Sequence, residues 1–67
     1  MKSFIRVHNL NTQNDVVKIK EIISQYEGII ACEISISKKE IQLVYDSLSV
    51  SMDEIESNIE MEGYMII

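Results

Sequence analysis

The 67-residue chain has no proline, no tryptophan, two glycines and one cysteine. With no proline to mark a linker, residues 1–67 read as a single domain. A domain this short buries only about 60% of the surface its unfolded chain exposes, which limits it to one two-layer core. Cys32, being alone, excludes an internal disulfide, so stability rests on packing and the chain fits a reducing compartment. Long apolar runs are missing as well. None approaches the roughly 18 residues of a membrane span, and the opening MKSFIRVH spreads charges through a strand pattern with no apolar signal core. A soluble, cytoplasmic protein with no membrane partner is the expectation.

Basic residues are absent from residues 46–67, which hold Asp46, Asp53, Glu54, Glu56, Glu60 and Glu62. That third carries −6 of a net charge of −5, leaving +1 for residues 1–45. Phosphate binding needs clustered Lys and Arg to release counterions, so nucleic acid and anionic lipid are disfavoured as partners. An acidic helix face of this kind keeps a small protein soluble and is compatible with a basic protein partner.

What is present is periodic. In residues 3–8, Ser3, Ile5 and Val7 form the buried phase of a strand, with Phe4, Arg6 and His8 opposite. Residues 12–28 read as a helix: Thr12 and Asp15 have capping-box spacing, Val16, Ile19, Ile23 and Tyr26 recur at helical intervals, and Gly28 supplies a left-handed terminus. Ile30, Cys32, Ile34 and Ile36 alternate with polar residues, as do Ile41, Leu43 and Tyr45, and SKKE between them makes the pair an antiparallel hairpin. A second helix follows, with Ser51 and Glu54 as a capping box, Val50 and Ile55 as a hydrophobic staple, Met52, Ile55 and Ile59 inward, and Gly63 at its end. YMII then reads as a last strand. The order βαββαβ predicts an α+β, ferredoxin-like sandwich: a four-stranded antiparallel sheet in order 4-1-3-2 with both helices on one face.

With these elements placed, residues 5–66 resemble the heavy-metal-associated domain family without a gap. The residues that carry the resemblance are Val7 and Leu10 as V-x-x-L, the Ile19, Ile23 and Gly28-Ile29 series, VYD at residues 44–46, VSMDEI at residues 50–55, and Gly63-Tyr64. The family includes small copper chaperones and the cytosolic modules of copper-transporting P-type ATPases. Its metal motif, G-M-T-C-x-x-C, corresponds here to Asn9-Leu10-Asn11-Thr12-Gln13-Asn14-Asp15, so Thr12 and Asp15 stand where the resemblance would put two cysteines. Copper(I) is soft and takes sulfur ligands, and a hydroxyl with a hard carboxylate does not replace a thiolate pair. No copper(I) cofactor is therefore expected. Thr12 and Asp15 are expected to cap the helix, contributing about 1 kcal/mol. His8 and Asn11 are the remaining candidate ligands, a sparse set beside the three or four strong donors zinc recruits.

Cys32 falls in a buried strand phase and reads as a small core hydrophobe. Nothing in the spacing of Met1, Met52, Met61 and Met65 brings three thioethers together. Tyr64, near the metal loop in the resembling family, is expected to pack over Leu10 with its hydroxyl in water. In the 4-1-3-2 order, Phe4, Val44, Met65 and Ile67 share the helix-free sheet face as an apolar patch with Arg6 and Glu33 nearby. An acylphosphatase-like enzyme would need an arginine in the first loop, yet Arg6, the one arginine, lies in a strand. A ligand-sensing ACT-like domain would place glycine there, and none occurs. No nucleophile stands in a motif with a base, so no enzyme is expected.

The expected function is that of a heavy-metal-associated-like domain lacking its cysteine site, a protein-binding or accessory module related to metal trafficking. Its partner would be a related metal-transport domain, met through Glu56, Glu60, Phe4, Val44 and Met65, with the protein itself a monomer or weak homodimer. The alternative is a metal carrier or chaperone that uses non-cysteine ligands or ligands shared with a partner.

Overall fold

The computed structural model describes residues 1–67. Its elements are β1 (Lys2–Arg6), α1 (Gln13–Ser24), β2 (Ile29–Ser35), β3 (Glu40–Tyr45) and α2 (Met52–Met61). β3 lies between β1 and β2 and is antiparallel to both. Side chains alternate across a strand, so Ile5, Val7, Ile41, Leu43 and Tyr45 reach one face of the sheet, where all are buried. Helical spacing gives α1 a face of Val16, Ile19 and Ile23, and α2 a face of Ile55 and Ile59; these join the strand residues in one core. Leu10, Val50 and Tyr64, all buried, belong to the same core. No helix is long and apolar enough to cross a membrane.

The expected fourth strand does not form. The sheet has three strands, and the end of the chain runs beside β1 with one bridge, Val7 to Ile66. The amide of His8 donates to the Met65 carbonyl at 2.8 Å, and that of Ile67 to the Arg6 carbonyl at 2.9 Å. Tyr64 still belongs to the helix end, its amide donating to the Ile59 carbonyl at 3.4 Å. Residues 65–67 lie beside β1 at the place the 4-1-3-2 order gives strand four, joined by that one bridge and these two amide bonds rather than by a ladder.

Three local expectations also change. Ile30, expected inward, is 71% exposed, because the β2 register shifts between Ile29 and Ala31; Ile29 pairs with Tyr45 and Ile30 is the extra, outward residue of a bulge. Gly28 does not end α1, which stops at Ser24. It lies in the following turn at φ +92°, where a Cβ would stand 2.8 Å from Ser49 Cβ and 3.0 Å from Val50 Cγ2. Ser51 is the N-cap of α2 but makes no side-chain capping bond, so the expected Ser51–Glu54 box is not formed.

Candidate functional site

The segment between β1 and α1, residues 7–12, is anchored by apolar burial at Val7 and Leu10, both fully enclosed. Thr12 is extended (φ −129°, ψ 164°), the conformation of an N-cap residue, and its Oγ1 accepts from the Asp15 amide at 3.2 Å. Asp15 reaches back, its Oδ2 accepting from the amides of Thr12 at 2.9 Å and Asn11 at 3.0 Å. This is the full capping box, with one amide more than the motif supplies.

The other carboxylate oxygen is occupied from the far end of the chain. The Tyr64 hydroxyl donates to Asp15 Oδ1 at 2.8 Å, and does not point into water as expected. Hydrogen bonds to the ionised form favour it, so the Asn11 amide first, then Tyr64 and the Thr12 amide, bring the Asp15 pKa down to about 2. Burial first, with the bond to Asp15 second, pushes the Tyr64 hydroxyl up to about 12. Both groups keep their roles across the ordinary pH range.

Asn9 ties the loop to the end of the chain: its Nδ2 donates to the Gly63 carbonyl at 3.1 Å and its Oδ1 accepts from the Met65 amide at 2.9 Å. From the turn between β2 and β3, the Lys39 ammonium donates to Asn11 Oδ1 at 2.5 Å and to the Leu10 carbonyl at 3.4 Å. Asn9, Asn11, Thr12 and Asp15 therefore all spend side-chain oxygens on partners within the chain. His8 stays on the exposed outer side, opposite Met65 across the bridge.

This donor set does not fit a metal ion of the kind the resemblance implies. No three His, Cys, Asp or Glu side chains are grouped to hold one, and the positions of the two thiolates carry the engaged Thr12 and Asp15. The one sulfur nucleophile, Cys32, is half-buried on β2, where it lines a cleft of about 400 Å³ with Lys20, Ile23, Ser24, Tyr26 and Ile29. Burial pushes its thiol up, with Lys20 opposing, which disfavours the reactive thiolate.

The surface candidates are divided between two regions. Glu60 is exposed and Glu56 half-buried on α2. On the open sheet face Phe4 is 54% exposed and Met65 61% exposed, while Val44 is half-buried. The register pairs Phe4 with Gln42 and Val44 with Lys2, so the two apolar side chains are offset rather than adjacent. Lys2 also sets its ammonium 5.6 Å from the Phe4 ring centre, a cation–π distance. The patch is broken by polar groups. Lys39 escapes sequence reasoning altogether, and for Tyr64 the resemblance gives its place near the loop but not its bond to Asp15, because no spacing rule joins residues 28 or 49 positions apart.

The ferredoxin-like α+β fold, with this loop at the head of α1, is also found among metallochaperone structures. Among solved structures, the CopZ metallochaperone matches 100% of this chain and 100% of its own, with a TM-score of 0.93 at 13% identity. The CsoZ metallochaperone matches 100% of this chain and 96% of its own (TM-score 0.88, 25% identity). A chain of the Atx1–Cu(I)–Ccc2a complex covers 98% of this chain and 90% of itself (TM-score 0.85, 26% identity). No protein-family model and no curated protein matches the sequence. The chain thus shares the fold of these metallochaperone structures, and its single cysteine leaves it without a CxxC motif. The structures it resembles are metallochaperones and metal-binding domains, not enzymes.

Proposed function

We propose that this protein is a metal-free accessory module of metal trafficking that works by binding another protein. The observation that carries this reading is the commitment of the loop's oxygen donors to partners inside the chain, on a fold otherwise kept over its whole length. Copper appears beside Atx1 and Ccc2a in one matching complex, and Ccc2a is a domain of a yeast copper transporter. A related metal-transport domain is accordingly the class of partner, and the α2 carboxylates, Glu56 and Glu60 among them, are the surface that would meet basic side chains on it.

The test is a titration of the isotope-labelled protein with a metal-binding domain of a copper-transporting P-type ATPase at low and high salt. Association should perturb α2 amides, weaken as salt rises, and fall about tenfold in Glu56→Lys with Glu60→Lys. Absence of any α2 perturbation at low salt would contradict the reading. The carrier alternative has one observation in its favour: His8 and Met65, joined through the His8 amide and the Met65 carbonyl at the loop end, are both exposed, a nitrogen-bearing and a sulfur-bearing residue that a partner could reach.

A further inference from the structure

We propose that Lys39 is a built-in cation that closes the first loop, so that the loop holds its shape without a metal ion. Lys39 is the one non-glycine residue with positive φ, at +53°. That conformation crowds a β-carbon and is ordinarily left to glycine or asparagine in a turn. Its backbone is fixed on both sides, the amide donating to the Ile36 carbonyl at 3.1 Å and the carbonyl accepting from the Val7 amide at 2.9 Å. The turn is thereby pinned to the base of the loop, and the side chain is carried over it.

There the ammonium donates to Asn11 Oδ1 and the Leu10 carbonyl, the two residues directly before the Thr12 cap. A lysine supplies three donors and a full positive charge. Asp15 supplies the negative charge on the other side, gripping the Asn11 and Thr12 amides. Residues 10–12 are thus held between one fixed cation and one fixed anion, while the neighbouring Lys38 side chain is exposed. The disfavoured backbone at Lys39 and the aim of its ammonium have one explanation if the residue is kept for its charge.

The proposal rests on the loop's being metal-free, and hydrogen exchange on the full chain without metal tests it separately. The amides to follow are those of Asn11 and Thr12 in Lys39→Gly, Lys39→Met and Lys39→Arg. Glycine and methionine should each speed exchange about fivefold, while arginine should keep it near the parent rate. Global stability of the glycine variant should hold or rise, since glycine accepts the left-handed backbone. Unchanged exchange in both Lys39→Gly and Lys39→Met would overturn the proposal. So would an effect of glycine alone, because methionine removes the charge and leaves the stem. Either failure would leave the accessory function standing, since that falls only on metal uptake by the parent chain or on absence of a partner.

Discussion

Asp15 concentrates the chemistry of the loop in one carboxylate, with Oδ2 accepting from two amides and Oδ1 from Tyr64. Its pKa of about 2 lies below the ordinary 3.8, so the stabilisation is complete above about pH 4 and is lost as pH falls toward 2. Tyr64, raised to about 12 from 10.0, behaves oppositely: its contribution is complete below pH 10 and is lost as pH rises toward 12. Tyr64→Phe should therefore let the Asp15 pKa rise from about 2 toward 3.8, as read by carboxyl NMR during acid titration. An unchanged value would mean that the amides alone hold the carboxylate. At this scale, the Thr12–Asp15 half of the network was legible, since capping obeys a three-residue spacing. The Lys39 contact and the Tyr64–Asp15 bond were not, because only the folded topology joins them to the loop, although the resemblance already set Tyr64 beside it.

Elements show the same division between local and distant causes. β3 is central and paired on both sides, so its alternation maps directly onto buried Ile41, Leu43 and Tyr45. β2 is paired on one side only, and there a bulge turns Ile30 outward against its pattern. The YMII segment has strand-like residues but makes one bridge to β1, with Tyr64 still bonded to the end of α2, a tie that hydrophobicity alone does not express. The sequence pattern puts Gly28 at a helix terminus, yet its positive φ serves a turn where the chain passes close to Ser49 and Val50. Gly28→Ala should cost about 2 kcal/mol, from the left-handed backbone and the crowding together, measured by urea denaturation. A loss below about 0.5 kcal/mol would show that residues 49–50 yield easily.

Across the whole molecule, charge and apolar surface are segregated. The net −6 of residues 46–67 lies on α2 and its flanks, while the open sheet face carries Phe4, Val44 and Met65 broken up by Lys2, Arg6 and Gln42. That charge asymmetry was fully legible as composition; the interruption of the patch needed the strand register. The loop stands at the other limit, since its fold is shared with metallochaperones while its donors are engaged internally. The central claim is that this loop takes no metal.

An anaerobic titration of the unmodified protein with copper(I) against a competing chelator, followed by backbone amide NMR, tests that claim most directly. The account predicts that the resonances of residues 8–15, Lys39 and Tyr64 stay in place as copper(I) is added. Saturable one-to-one shifts confined to residues 8–15, Tyr64 and Met65 would contradict it and make the protein a metal carrier with non-cysteine ligands.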